Sequence, residues 1–596
     1  MKKRVADIIM DTLADNGIEQ AFCVVGGGSM FLNNALGISK RIKTVFNHHE
    51  QACAMAAEGY ARYTTDKPAL VCVTSGPGGT NTLTGVMGAY VDSIPMIIIS
   101  GQCRYNTSVQ DAGVPLRSRG IQEFNIVDTV KTMTKYAKLV INPLEIKREL
   151  QKAFDIAMTG RRGPVWLDIP QNVQNTIIEE EDLLPVLPKP EPIKADKDLI
   201  KKTQELLLSA KRPVILAGSG LRYSGNFDAF LKFLENVRIP VVNAASQPDL
   251  LYREHPLFVG TEGLTGQRAG NFVLQNADCV LVLGASLTFS ETGWVQENFA
   301  PRAHIIMVNV DEYEPRKPGM RINTFIHADL KEFFRQISDI KIKAPQTWLT
   351  YAENVKEKFD PFEGSGEYDN KRVNPYTFWK TYAEKIPQNG ITCLGNSSSI
   401  GGWLRYGNIT KDQRSFVNIN CGSMGDDIPL ATGVACAAKR PAVIQTGDGS
   451  FMMNLQELAT IRHNKLPVKI IVFSNGGYGA LRNTFKNYFN GVNTGCDYDS
   501  GISFPDFKYV AQAFGIPYRH CQTNHDISDS IDWLFAQQNA AFLEIEQQYE
   551  NVSAPCVVSR LKADGTSEPA FLQDMSPFID RDEYKVLMIS DKKGTF

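Results

Sequence analysis

Asp448 and Asn475 carry oxygen ligands in a setting that suggests chemistry. Ala442-Val443-Ile444 runs into Gly447-Asp448-Gly449-Ser450, and Val468 to Phe473 runs into Asn475-Gly476-Gly477-Tyr478-Gly479. Between them Leu455, Leu458 and Ile461 recur at helical spacing. The pattern predicts strand, glycine turn, helix and strand. Glycine turns let backbone amides approach a diphosphate, and a helix N-terminus favours its charge. Asp448, the Asn475 side chain and a backbone carbonyl such as that of Gly477 are hard oxygen donors. They would hold Mg2+ and leave room for diphosphate oxygens.

A second group lies near the N-terminus. Ala21 to Val25 reads as a buried strand ending in Gly26-Gly27-Gly28-Ser29, without the spacing of a dinucleotide fingerprint. The strand Thr44 to Phe46 ends in Asn47-His48-His49-Glu50, and a helix of small residues follows, from Gln51 to Arg62. Small side chains all round predict a helix packed closely on both faces. Locally Glu50 reads as a helix cap. Ala69 to Val73 leads into Thr74-Ser75-Gly76-Pro77-Gly78, and an isoleucine run follows Ile94-Pro95. This stretch is a faint copy of Thr446 to Leu481, which predicts two αβ domains of one topology.

These groups need elements to position them. Strands alternating with helices predict an α/β chain of three doubly wound parallel-sheet domains. The expected boundaries are 1–175, 196–340 and 376–555, with a tail at 556–596. An acidic and proline-rich linker (176–195) and a polar one (341–375, containing Gly364-Ser365-Gly366-Glu367) separate them. In the middle domain Gly218 and Gly220 fit either a nucleotide or close helix packing. Ahead of the Asp448 turn lies Gly422-Ser423-Met424-Gly425-Asp426-Asp427, and Asn487 to Phe504 reads as a long loop beside it.

Composition bounds the rest. A net charge of −2 points to neither nucleic acid nor an anionic membrane. Eleven scattered cysteines with no CxxC pair indicate neither zinc nor a disulfide framework, and a cytoplasmic setting is expected. Acidic residues interrupt the first apolar run, which reads as an amphipathic helix and not a signal peptide.

The Gly447-Asp448-Gly449-Ser450 turn, its helix and Asn475 resemble the thiamin diphosphate motif. The text Phe451 to Thr460 resembles acetolactate synthase, as do His49-Glu50-Gln51-Ala52, Ala56 to Arg62, Ser75 to Asn81, Gln122-Glu123 and Gly163-Pro164-Val165. The resemblance covers nearly the whole chain. It implies that Glu50 bonds N1' of the cofactor's aminopyrimidine and so helps remove the C2 proton, preparing attack on a 2-oxo acid. It implies that Met424 bends the cofactor and that Gln122 and the Gly27-Gly28 loop position substrate. It further implies a homo-oligomer with sites at the subunit interface, where the cofactor bridges the first domain of one subunit and the third of another. Gly27, Ser75, Pro77, Gly78, Gly422, Gly447, Gly449, Ser450, Tyr478 and Gly479 complete the expected cofactor contacts.

The chain also departs from that family. Ile121 stands where acetolactate synthases have phenylalanine, and Met424-Gly425-Asp426-Asp427-Ile428-Pro429 replaces Met-Gly-Phe-Gly-Leu-Pro, placing two acids near the cofactor. Ser286-Leu287-Thr288-Phe289-Ser290 replaces an Arg-Phe-Asp-Asp-Arg run that helps hold FAD. The expected cofactors are therefore thiamin diphosphate and Mg2+, with FAD undecided. The expected reaction is decarboxylation of pyruvate and transfer of its two-carbon unit to a second carbonyl. Simple decarboxylation, transfer to a keto-sugar, a non-catalytic relative and a nicotinamide dehydrogenase are the alternatives.

Overall fold

The computed structural model describes residues 1–359, 371–396, 398–406, 409–548, 554–562, 564 and 566–589. Three six-stranded parallel sheets dominate it. The first holds β1 (Gln20–Cys23), β2 (Lys43–Phe46), β3 (Leu70–Val73), β4 (Met96–Gln102), β5 (Tyr136–Leu139) and β6 (Pro164–Pro170). The second holds β7 (Pro213–Ala217), β8 (Val241–Asn243), β9 (Phe258–Thr261), β10 (Cys279–Leu283), β11 (His304–Asn309) and β12 (Thr324–His327). The third holds β13 (Ile391–Leu394), β14 (Arg414–Val417), β15 (Ala442–Gly447), β16 (Val468–Ser474), β17 (Tyr518–Cys521) and β18 (Ala541–Glu546). Strands such as β3 and β10 are apolar and buried throughout, as sheets covered by helices on both faces require.

The first sheet runs β2-β1-β3-β4-β6-β5 and the third runs β14-β13-β15-β16-β18-β17. The two orders are the same. Thr74 follows the third strand of one and Thr446 ends the third strand of the other, so the faint internal copy is a duplicated topology. The middle sheet runs β9-β8-β7-β10-β11-β12, the dinucleotide-fold order.

The helices that matter below are α1 (Glu50–Thr64), α2 (Pro77–Asn81), α3 (Arg268–Asn276), α4 (Gln346–Lys358), α5 (Asp427–Ala438), α6 (Asp448–Met452), α7 (Glu457–His463) and α8 (Arg581–Leu587). Helices α1 and α5 join the first and third domains at backbone contact. A Cβ on Gly59 would lie 2.1 Å from the Leu430 carbonyl oxygen, and one on Gly433 would lie 1.8 Å from that of Ala56. That crossing explains the small residues of α1. Beside it Arg62 donates to Glu58 (2.7 Å), to Asp92 and to the Tyr223 hydroxyl of the middle domain (3.2 Å). Asn420 of the third domain donates to Asp92 (2.6 Å), so one buried charge cluster touches all three domains.

Two expectations change. The stretch 341–375 is not simply a linker: α4 lies in it and buries Trp348, Ala352 and Val355 against the middle domain. Its Gly364 to Glu367 part lies outside the described residues. The tail is docked, not trailing. Asn271 of α3 donates to the Leu572 carbonyl (3.0 Å), Arg268 donates to that of Met575 (2.9 Å), and Asn276 accepts from Ile589 N (2.9 Å). No helix among the described residues is long and apolar enough to cross a membrane.

Candidate active site

The oxygen clamp forms where β15 and β16 end side by side. Asp448 is 2% exposed. Its Oδ1 accepts from Gly449 N (2.7 Å), and its Oδ2 accepts from Asn475 N (3.1 Å) and Gly477 N (3.0 Å). One carboxylate thus ties the two turns together. Burial pushes its pKa up to about 6, against the pull of those amides. A cation would reverse that penalty, and among the described residues the Asn475 side chain has no hydrogen-bond partner of its own. This donor set fits Mg2+. Gly449 admits the Tyr478 ring, because a Cβ there would lie 2.1 Å from it. Tyr478 N donates to Cys496 O (2.8 Å), which folds the 489–505 loop back over the clamp.

The predicted single helix after the turn is two helices. α6 ends at Met452 and α7 begins at Glu457. In the break Asn454 donates to Gly425 O (2.6 Å), and Gly425 N donates to Ser450 Oγ (2.9 Å). Ser450 Oγ and Thr446 Oγ1 each donate to Asp427 Oδ2 at 2.6 Å. Asp427 is therefore a buried strap that fastens the Met424 loop to the clamp. Asp426 is also buried, and neither of its oxygens has a hydrogen bond. Burial, then Asp427 and Glu58, push its pKa well up. The two acids belong to the packing of the loop. Met424 itself is half-buried and Gly422 exposed.

On the first domain Glu50 opens α1, half-buried, and its Oε2 accepts from Asn81 Nδ2 of α2 (2.9 Å). Gly78 lies against the same carboxylate, with a Cβ position 3.7 Å from Oε1. Gly28 N donates to Thr74 Oγ1 (2.9 Å), which seats the exposed Gly27 turn beside the buried Ser75 and the exposed Pro77 at the start of α2. Gln122 sits at the rim with φ +54. Gly76 must be glycine there, since a Cβ would meet Gln122 O at 2.5 Å. The neighbouring Glu123 accepts from Val109 N (2.6 Å), Arg119 N (3.1 Å) and Gly120 N (2.8 Å). Gln102, bonded to buried Asp168, donates to Phe124 O (3.0 Å). Asn81, Asn454, Glu457 and the strap role of Asp427 escape sequence reasoning. The signal they left was membership of the quoted motifs, Ser75 to Asn81 for Asn81 and Phe451 to Thr460 for Asn454 and Glu457.

The middle-domain glycines serve packing. Gly218 N and Gly220 N donate to Leu283 O and Gly284 O, both at 2.9 Å, and a Cβ on Gly218 would lie 2.4 Å from Gly284 O. A cleft of about 440 Å³ adjoins them, but Arg161 on its wall is neutralised by Asp311 and Glu314, each at 2.8 Å. Arg162 lines the same cleft and donates to Thr65 O, and no step is assigned to a flavin.

Two like-folded domains, one presenting a carboxylate at a helix start and the other an oxygen clamp, define the class of thiamin diphosphate (thiamine pyrophosphate) enzymes. The family descriptions agree. The thiamine pyrophosphate enzyme N-terminal TPP binding domain matches residues 3–127, the central domain 200–337 and the C-terminal TPP binding domain 397–545. A probable acetolactate synthase large subunit of Methanocaldococcus jannaschii is 33% identical over 559 residues, covering 91% of each chain. The acetolactate synthase isozyme 1 large subunit of Escherichia coli is 29% identical, covering 93% of this chain and 95% of its own. That of Lactococcus lactis is 30% identical, covering 88% and 89%. The chain belongs to the thiamine pyrophosphate enzymes and is an acetolactate synthase-like transferase.

Proposed function

We propose that this enzyme decarboxylates a small 2-oxo acid, pyruvate, and joins the two-carbon unit to a second carbonyl compound. The observation that carries this reading is Glu50 at the start of α1, with one oxygen held by Asn81 and the other without a hydrogen bond among the described residues. Thiamin diphosphate, when bound, supplies the carbon nucleophile and the electron sink that decarboxylation needs. Glu50 Oε1 exchanges a proton with ring nitrogen N1', while Asn81 keeps Oε2 in place. Met424 braces the cofactor, and Gly27, Ser75, Pro77, Gly78 and Gly422 allow close backbone approach. Asp448, Asn475 and the Gly477 carbonyl would hold Mg2+, and Gly447, Gly449, Ser450, Tyr478 and Gly479 would receive the diphosphate beside it. Gln122 orients the substrate carbonyl.

Glu50 and Asp448 lie on different domains, and the cofactor would be held between the first domain of one subunit and the third of another in a homodimer or tetramer. Exposed Val25, Phe46 and Ile121 on the first domain, and Tyr488 and Phe489 on the third, support a covered surface. Eleven unpaired cysteines fit a reducing cytoplasm. A second reading, transfer to a keto-sugar, is favoured by Ile121. It is 86% exposed and smaller than the phenylalanine of acetolactate synthases. Mass spectrometry of products from pyruvate with 2-oxo acid and keto-sugar acceptors separates the two, and acetaldehyde as sole product rejects both.

A further inference from the structure

The turn that delivers Glu50 is held from the other domain. Asn47 Nδ2 donates to Glu457 Oε2 (2.9 Å), and His48 N donates to Glu457 Oε1 (3.0 Å), across 410 and 409 residues of chain. Glu457 is fully buried, and its remaining partner is Thr460 Oγ1 (2.7 Å). The other face of Asn47 is also engaged, since its Oδ1 accepts from Cys53 Sγ (3.6 Å). On the far side of Glu50, Gln51 Oε1 accepts from Asn454 Nδ2 (3.4 Å), the amide that also holds Gly425 O. The break between α6 and α7 therefore aims two side chains at the residues flanking Glu50.

We propose that Glu457 is a positioning residue for Glu50. Its carboxylate sets the Asn47–His48 turn, and with it the orientation in which the Glu50 carboxylate leaves the start of α1. The α6–α7 segment that begins with Asp448 thereby fixes Glu50 of the same chain. The proposal rests on the proton-handling role assigned to Glu50. It adds that this role depends on a buried acid nine residues beyond Asp448.

The test compares wild type, E457Q, N47A and the swap N47D/E457Q, each loaded with thiamin diphosphate and Mg2+. The swap restores a donor facing an acceptor with the roles exchanged. Two quantities are read: hydrogen exchange at C2 of the bound cofactor, followed by NMR without substrate, and amide exchange of His48 in the cofactor-free protein. E457Q and N47A are expected to slow C2 exchange by about tenfold to a hundredfold, and to speed His48 exchange. Cofactor affinity and KM for pyruvate should stay within about twofold, and the swap should recover most of the lost rate. Wild-type C2 exchange in a folded E457Q overturns the proposal, as does a swap no better than the single variants. E50Q is the control: if it exchanges C2 as fast as wild type, the role of Glu50 fails and the proposal falls with it, whereas slow exchange in E50Q beside wild-type exchange in E457Q overturns the proposal alone. Where E457Q does not fold, N47A carries the same comparison.

Discussion

Asn81 Nδ2 stands 2.9 Å from Glu50 Oε2, so α2 grips one oxygen of the carboxylate that opens α1 and leaves the other toward Gly78. A side chain able to exchange protons with a ring nitrogen needs this division of labour: one oxygen anchored, one available. Glu50→Gln should therefore bind cofactor and lose activity by a factor of about 10² to 10⁴. Asn81→Ala should lose about tenfold in kcat, with little change in KM. Steady-state kinetics on the two variants checks the order of the effects.

Asp448 makes a pH prediction for the cofactor-free protein. Its folded pKa of about 6 lies above the ordinary unfolded value of about 3.9, so the folded state binds the extra proton. The contribution to stability is full below about pH 4 and is lost as pH rises through about 6. Buried Asp168 and Glu58, each also pushed up to about 6, act with the same sign. Asp448→Asn should flatten part of the slope. Mg2+ with thiamin diphosphate should stabilise wild type at neutral pH and have little effect on the variant. Thermal unfolding at a series of pH values measures both.

Gly433→Ala tests the crossing of α1 and α5. The new Cβ would lie 1.8 Å from the Ala56 carbonyl oxygen, a backbone contact that no rotamer relieves. The expected cost is about 3 kcal/mol or more, read as a lower midpoint in denaturant unfolding. Residual folded protein should also have impaired activity, because α1 carries Glu50.

Gly76→Ala tests the seat of Gln122. Gly76 has φ +57 and its Cβ would strike Gln122 O, so the loop from Gly120 to Phe124 must shift. KM for pyruvate should rise by about tenfold while cofactor affinity is retained. Unchanged KM would remove Gln122 from the substrate site.

The three sheets were readable because their strands are apolar runs bounded by glycine and proline. Asp448 and Asn475 stood out at the ends of such runs, whereas Glu50 read locally as a helix cap and drew attention only through the family resemblance. The break between α6 and α7 was not readable. Leu455, Leu458 and Ile461 keep helical spacing straight through it, and only the tertiary bond from Asn454 to Gly425 favours breaking the helix. Helix α4 escaped because only Trp348, Ala352 and Val355 of its residues are buried, in an otherwise polar stretch. Glu457 escaped for the reason most buried acids do: a glutamate in a helical run reads as a solvated face until its partners, some four hundred residues away, are in view. Asp426-Asp427 stood out by composition, but their role as loop packing depends on Thr446 and Ser450 hydroxyls that spacing does not place.

The central claim is carbon–carbon bond formation that depends on Glu50. Its most direct test follows uniformly 13C-labelled pyruvate with wild type and Glu50→Gln, with cofactor, Mg2+ and an unlabelled carbonyl acceptor present. The account predicts labelled carbon dioxide and a product carrying two labelled carbons joined to the acceptor, both lost in the variant. Labelled acetaldehyde as the only organic product, or equal yields from the two proteins, would contradict it.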